Sequence, residues 1–251
     1  LGKTFVCIDD KNVREVIKKT NSKNFYTYGF TKGANFQITK PKQKENYSEF
    51  NLKINIPGIK DEIKKIRVPI IGFHNIRNSA SCVAISFLIG VNIKIIKSGL
   101  ISFKGVERRF NFLFERNNAL FFDDYAHHPT EISSVLDGVK DVYKKKEIVC
   151  VFQPHRISRV KNLKKEFSKS FKKADTVILC PIYKAGENIK LGYSYESFAK
   201  LIIKNSKVNL IKVENELSLR KLIKQTGYGE KIYIGMGAGT ISSWMKNLIK
   251  I

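Results

Sequence analysis

The chain has 251 residues, 43% hydrophobic and 27% charged, with 46 Lys and Arg against 22 Asp and Glu, a formal net charge of +24. That composition is ordinary for a soluble globular protein with room for a substantial core in one or two domains. It excludes a transmembrane chain, since no apolar run approaches the roughly 20 residues of a membrane span, and no basic, apolar, small-residue leader opens it. A cytoplasmic location is therefore expected. The charge permits attraction to polyanions, but the lysines are scattered, as in Lys144-Lys145-Lys146 and Lys164-Lys165. No aromatic-interleaved motif or DNA-reading module accompanies them, so nucleic acid is not an expected partner. Abundant Lys, Ile and Asn would also follow from an AT-rich coding bias. The four cysteines, Cys7, Cys82, Cys150 and Cys180, form no C-x-x-C pair and read as buried free thiols.

In chain order, Thr4–Ile8 is a short apolar strand, and Asp9-Asp10 can cap a helix over Asn12–Lys19. Gly2-Lys3-Thr4 has the ending of a phosphate-binding loop. It precedes a strand rather than a helix and lacks the motif's first half, so it is not read as a phosphate site. Phe25–Phe30, Asn35–Thr39, Tyr47–Ile56 and Glu62–Ile71 pattern as strands, with Pro57-Gly58 turning the chain. Gly72-Phe73-His74-Asn75-Ile76-Arg77-Asn78 leads into a helix at Ser79–Leu88, and a second helix covers Ile93–Ile101. Lys104–Glu107 reads as a boundary.

Beyond it, strand and helix patterns alternate. Strands are predicted at Phe110–Phe114, Leu120–Asp123, Ile148–Phe152, Thr176–Cys180, Val208–Ile211 and Ile232–Ile234. Helices are predicted at Thr130–Tyr143, Val160–Phe171, Tyr195–Lys204, Glu214–Gln225 and Thr240–Leu248. This rhythm predicts an α/β fold with a mostly parallel, doubly wound sheet.

The chain is organised around Asp123-Asp124-Tyr125-Ala126-His127-His128-Pro129-Thr130-Glu131-Ile132. A strand delivers two carboxylates, and Pro129 suits a helix start. Open α/β sheets bind ligands at such strand ends. A hydrogen-bonded turn would explain one lone Asp or His there; two acids and two imidazoles within six residues point to function. Phe152-Gln153-Pro154-His155-Arg156-Ile157-Ser158-Arg159 follows another strand, and Arg156 and Arg159 can grip a carboxylate or phosphate. Gly235-Met236-Gly237-Ala238-Gly239-Thr240 suits tight strand–helix packing as well as anion binding. Tyr183-Lys184-Ala185-Gly186-Glu187 reads as a plain loop with a chance of rim contacts.

G-F-H-N-I-R-N, V-E-R-R-F, D-D-Y-A-H-H-P-T-E-I, F-Q-P-H-R-I-S-R, Y-K-A-G-E and M-G-A-G-T occur here in the order found in the Mur ligases, and the chain most resembles the branch that joins L-alanine to UDP-N-acetylmuramate. The peptide-recycling branch is similar around the acidic elbow, but it usually has Phe in place of Tyr125 and lacks F-Q-P-H-R. The resemblance implies that residues 1–105 are the distal part of a central ATP-binding domain and residues 106–251 a Rossmann-like C-terminal domain. The family's UDP-substrate domain and phosphate loop are missing, as are the central-domain acid and histidine that help hold magnesium. The sequence thus reads as a fragment or one half of a split enzyme. Thr240 departs from the Asp common in the family after G-A-G.

The implied cofactors are ATP and Mg2+, and the implied partners are UDP-N-acetylmuramate, L-alanine and a missing N-terminal half. By position, His74, Asn75 and Asn78 would contact the adenine end of ATP, and Arg109 and Asp124 its ribose and phosphates. Tyr125, Ala126 and His127 would border the alanine pocket. His127, His155, Arg156 and Arg159 would be the catalytic set, the latter three holding carboxylates or the developing oxyanion. No metal ligand is assigned within the chain.

Overall fold

A computed structural model describes residues 2–20 and 24–250. The chain divides into two compact units, Leu1–Lys104 and Gly105–Ile251. Among the described residues no helix is long and apolar enough to cross a membrane.

The first unit holds a five-stranded sheet in sequential order: β1 (Thr4–Cys7), β2 (Phe25–Gly29), β3 (Phe36–Lys44), β4 (Tyr47–Ile56) and β5 (Ile59–Val68). The first two pairings are parallel, the last two antiparallel. Asp10 caps α1 (Lys11–Lys19) by accepting from the amides of Asn12 and Val13, which satisfies two donors that the first turn otherwise leaves unpaired. Strand β3 runs past the predicted Thr39 to Lys44. Lys40 takes φ +50° and the register shifts between Thr39 and Lys42, so a bulge absorbs Pro41 and pairing resumes. Strand β5 begins and ends earlier than predicted because Pro57-Gly58 makes a tight hairpin, pairing Ile56 with Ile59. The core of this unit lies between the sheet and α2 (Phe73–Leu88) and α3 (Ile93–Ile101), with Phe36, Phe50, Leu52, Ile66, Ile76 and Val83 fully buried.

Helix α2 begins six residues before the predicted Ser79. Gly72 precedes it at φ +104°, and a Cβ there would lie 2.6 Å from the His74 ring. The histidine therefore folds back over a position only glycine can occupy. His74, Asn75 and Asn78 sit in the first turns of the helix rather than on a loop leading to it.

The second unit opens with an antiparallel hairpin, β6 (Asn111–Arg116) and β7 (Ala119–Asp124). Its two-residue turn, Asn117-Asn118, has both φ values positive, +46° and +66°, as a type I′ turn requires. The two consecutive strands predicted here, Phe110–Phe114 and Leu120–Asp123, pair directly with one another. The remaining elements are α4 (Pro129–Val142), β8 (Glu147–Phe152), α5 (Ile157–Asn162), α6 (Lys164–Lys169), β9 (Thr176–Leu179), α7 (Tyr195–Ser206), β10 (Asn209–Lys212), α8 (Glu216–Thr226), β11 (Lys231–Met236) and α9 (Ile241–Asn247). The sheet order is β10-β9-β8-β11-β7-β6, and every pair except β6–β7 is parallel. The predicted helix Val160–Phe171 is in fact two, broken at Leu163 (φ −111°, ψ 26°). Apolar periodicity alone did not mark that break.

Two cores cover the two faces of this sheet, which makes it doubly wound. Residues of α4, α6 and α7 such as Ile132, Leu136, Phe167 and Phe198 pack with Ile148, Cys150 and Phe152 on one side. Leu219, Ile223, Ile241 and Met245 pack with Phe121, Val149, Val151 and Tyr233 on the other. The chain steps outward from β8 to β10, then returns to insert β11 between β8 and β7. That reversal is the kind of switch point at which open sheets leave a crevice beyond the C-terminal strand ends. Of the cysteines, Cys150 and Cys180 are buried as expected, and burial pushes the Cys180 thiol up to about 12. Cys82 is exposed, on the solvent side of α2, and Cys7 is half-buried.

Candidate active site

Because β7, β11 and β8 are parallel neighbours, the segments that follow them emerge on one edge of the second unit. These segments are the acidic elbow, the glycine loop and the Pro154-His155-Arg156 segment.

The elbow is a dense hydrogen-bond system, with Asp123 Oδ1 and Arg108 Nε left without a hydrogen-bond partner among the described residues. Asp123 is 1% exposed and accepts from Ser242 Oγ at 2.5 Å, with Arg108 Nε 3.7 Å away. Asp124 is also buried; its two oxygens accept from the amides of Ala126 (2.7 Å) and Phe110 (2.8 Å). Burial pushes its carboxyl up to about 6 despite those two amides and the Arg109 charge, since desolvation penalises the ionised form. Helix α4 starts with Pro129 at its first position and His128 as N-cap. His128 Nδ1 lies 3.4 Å from the Thr130 amide, and Glu131 Oε2 reaches back to the amides of His127 (3.0 Å) and His128 (3.2 Å). This reciprocal box fixes the elbow's exit direction.

His127 Nδ1 is 2.8 Å from the Tyr125 carbonyl. A carbonyl only accepts, so Nδ1 carries a proton here. The His127 ring centre is 5.0 Å from that of Tyr125 and 5.7 Å from that of His155. The two sequence motifs thus meet, imidazole to imidazole. Arg159 Nη1 is 3.3 Å from His155 Nδ1, and burial first, then the charges of Arg159, His127 and Arg156, hold the His155 imidazole below its ordinary range. Arg156, with φ +69° and ψ 129°, sits just ahead of α5, largely exposed, its Nη1 4.0 Å from Glu187 Oε1. Arg156 and Arg159 therefore each have a neighbour of their own, Glu187 and His155.

Tyr125 is flanked by both arginines that precede β6: Arg108 lies 4.7 Å and Arg109 5.7 Å from its ring centre. Arg109 is exposed, whereas Arg108 is built in, donating from Nη2 to the Gly237 carbonyl at 2.6 Å while its own carbonyl accepts from the Tyr125 amide. The Ala126 methyl is fully buried in the core, so this residue meets the site through its backbone alone.

The glycine loop packs instead of opening. A Cβ at Gly237 would lie 2.6 Å from the Gln153 carbonyl, and one at Gly239 2.5 Å from Gln153 Oε1 and 2.6 Å from Tyr183 Cγ. Gln153, 3% exposed, donates to Thr240 Oγ1 and accepts from the Ile241 amide, both at 3.0 Å. Thr240 is thereby the hydroxyl partner that ties β8 to α9.

Sequence reasoning gave Arg108 no role and took Tyr183 and Glu187 only as parts of a plain loop with a chance of rim contacts. Arg108 was hidden beside Arg109, though an arginine next to an acidic elbow had an obvious counter-charge. Tyr183 stacks on His155 with centres 5.5 Å apart and planes 12° from parallel, and Glu187 accepts from Ser158 N (2.9 Å) and Oγ (2.6 Å). A Tyr and a Glu at the end of a parallel strand were the available signal.

In the first unit, His74, Asn75 and Asn78 share one face of α2 at helical spacing. Asn75 Nδ2 donates to the Ile71 carbonyl at 2.7 Å, and Asn78 is exposed. Near them Asp9 accepts from Thr31 N, Thr31 Oγ1 and Phe30 N, and lies 3.7 Å from Arg77 Nε.

The Mur ligase glutamate ligase domain model matches residues 108–238, and the Mur ligase middle domain model matches residues 2–86. The chain is 58% identical over 248 residues to a UDP-N-acetylmuramate–L-alanine ligase of Pelagibacter ubique, covering 98% of this chain and 53% of that protein. It is 37% identical to the ligase of the same name from Brachyspira hyodysenteriae, covering 96% of this chain and 51% of that one. Among solved structures, UDP-N-acetylmuramate-alanine ligase from Thermotoga maritima superposes with TM-score 0.72 at 22% identity, covering 96% of this chain and 55% of that one. A murein peptide ligase from Psychrobacter arcticus gives 0.68 at 18%, covering 99% and 51%; both likenesses concern the fold. The chain spans about half the length of the relatives it matches. Middle-domain and C-terminal-domain signatures occur in the order of the two compact units, and the chain belongs to the Mur ligase family.

Proposed function

We propose that this chain is part of an ATP-dependent ligase that joins L-alanine to UDP-N-acetylmuramate through an acyl phosphate, in the cytoplasm, for peptidoglycan precursor synthesis. The observation that carries the reading is the meeting of the two motifs on one sheet edge, with His127 and His155 centres 5.7 Å apart and Arg156 and Arg159 beside them. The names of the relatives supply the substrates.

On this reading Tyr125 and His127 border the amino-acid site. His127 Nε2, the ring nitrogen not engaged by the Tyr125 carbonyl, takes the proton that the attacking amine must lose. Arg156 and Arg159 are fixed cations for the carboxylates and for the oxyanion that develops as the amine adds. His155, whose pKa is lowered, stays uncharged near neutrality and orients Arg159. Asp124, with both oxygens engaged by backbone amides, acts on the nucleotide side by holding Phe110 and hence the segment that carries Arg109.

For the cofactors, His74, Asn75 and Asn78 present amide and imidazole groups on one helix face, which fits the base end of ATP. The phosphate cradle is not among the described residues, since Thr4 already begins β1. ATP, when bound, supplies the phosphoryl group that activates the muramoyl carboxylate. No three His, Cys, Asp or Glu side chains among the described residues are grouped to hold a metal ion.

The test is phosphate release dependent on ATP, magnesium, L-alanine and UDP-N-acetylmuramate, by the chain alone and joined to the remaining length of its relatives. Turnover only in the joined form supports the reading, with Arg156→Ala abolishing it while the fold remains; unchanged turnover in Arg156→Ala contradicts the role of that residue.

A further inference from the structure

We propose that the loop Tyr183–Glu187 is a positioning device for the site: Tyr183 sets the His155 ring, and Glu187 sets Arg156 without neutralising it. The inference rests on the ligase reading for what the set residues then do, not for how they are set.

After β8 ends at Phe152 the backbone does not wander. Tyr183 N donates to the Pro154 carbonyl at 2.8 Å, and Arg156 N donates to the Tyr183 carbonyl at 2.9 Å. An isolated parallel bridge joins His155 to Tyr183. The two loops are thus zipped one step beyond the ladder of β8 and β9. Stacking follows from that register, with the two rings 12° from parallel. From the glycine loop, Gly239 presses on Tyr183, leaving no room for a Cβ, which would fall 2.6 Å from Tyr183 Cγ. Tyr183 is therefore wedged between the imidazole and the loop after β11.

Glu187 completes the arrangement. Its two carboxylate oxygens are taken by Ser158 N and Ser158 Oγ, the second residue of α5. The same carboxylate stands 4.0 Å from Arg156 Nη1. That is too long for a hydrogen bond but close enough to bias where the guanidinium rests. Its pKa is lowered, chiefly by the Ser158 hydroxyl bond and then the Ser158 amide, so it is ionised at neutral pH. Arg156 adopts φ +69°, a conformation a non-glycine residue keeps only where its surroundings impose it. The Tyr183 carbonyl before it and the Glu187–Ser158 clamp after it impose it. An arginine meant to bind an anionic substrate gains from such a neighbour, which orients it and leaves its donors unspent.

The test uses the 251-residue chain and, for kinetics, the same chain joined to the remaining length of its relatives. In the chain, nuclear Overhauser contacts between the Tyr183 and His155 rings and the Arg156 guanidinium signals report the geometry. Glu187→Ala is expected to lose the distinct Arg156 signals and weaken the inter-ring contacts. Glu187→Gln, which keeps one acceptor oxygen, should retain part of both, and Tyr183→Phe should keep the stack. If Glu187→Ala does not fold, the Glu187→Gln comparison carries the result. In the joined enzyme kcat/KM should fall about tenfold or more in Glu187→Ala, as expected for a displaced binding group, and recover partly in Glu187→Gln. Unaltered ring contacts and Arg156 signals in Glu187→Ala overturn the inference, as does unaltered kcat/KM in an active joined enzyme. If the joined enzyme shows no ligation even as wild type, the ligase reading fails, and the resonance measurements still decide whether the loop sets these residues.

Discussion

Arg156 offers the sharpest separation of stability from function. Its φ of +69° and ψ of 129° lie where a Cβ is costly, and a residue held in such a region stores about 1–3 kcal/mol. Arg156→Gly relieves that strain but adds about 0.5–1 kcal/mol of unfolded-chain entropy. Arg156→Ala keeps the strain. Both lose the partly exposed contact with Glu187, which in solvent contributes roughly 0–1 kcal/mol, so this term cancels between them. The glycine variant should therefore be more stable than the alanine variant by about 1 kcal/mol. Urea unfolding of the two, followed by far-ultraviolet dichroism at constant m-value, measures the difference. An alanine variant as stable as the glycine one, or more so, would refute the argument that the fold offsets strain to place a guanidinium there.

Three further outcomes follow from named contacts. Asp124 titrates near 6 in the folded chain against about 3.9 unfolded, so the folded state holds its proton longer and this carboxyl favours folding most at low pH. Its contribution should decline by up to about 3 kcal/mol as pH rises from about 4 to about 6; Asp124→Asn should flatten that slope, and an unchanged pH profile of unfolding free energy would show the carboxyl is not the source. Gly237→Ala forces a Cβ to within 2.6 Å of the Gln153 carbonyl at φ +151°, so a loss of about 2 kcal/mol or more is expected, and a neutral result in thermal unfolding would mean the loop yields. Asn118→Gly, in a turn with φ +66°, should stabilise the β6–β7 hairpin by up to about 1 kcal/mol, read from amide exchange of β6; faster exchange there would contradict the turn assignment.

The second unit was legible where one physical pattern dominated. Apolar runs ending in polar clusters marked β7, β8 and β11, and the alternation with amphipathic helices implied a parallel sheet, which placed the elbow and the Pro154-His155-Arg156 segment on one edge. The encounter of His127 with His155 follows from that topology. What was illegible depended on backbone conformation. Gly72 at φ +104° starts α2 early, and the positive φ values of Asn117-Asn118, which make the β6–β7 connection a tight hairpin, carry no apolar periodicity. Leu163 breaks a helix whose hydrophobic spacing continues through it. The functions of Arg108, Tyr183 and Glu187 depend on partners 15 to 129 positions away, from Asp123 to Arg108 at the near end and from Arg108 to Gly237 at the far one. No local pattern encodes such pairs.

The central claim is that this chain carries the amino-acid-handling part of a ligase whose phosphate cradle lies elsewhere. The most direct measurement is phosphate release with ATP, magnesium, UDP-N-acetylmuramate and L-alanine, by the 251-residue chain alone and joined to the remaining length of its relatives. The account predicts L-alanine-dependent release from the joined protein, none from the chain alone, and none from the joined Arg156→Ala variant. Alanine-dependent release from the chain by itself, or from the joined Arg156→Ala variant at the wild-type rate, would contradict it.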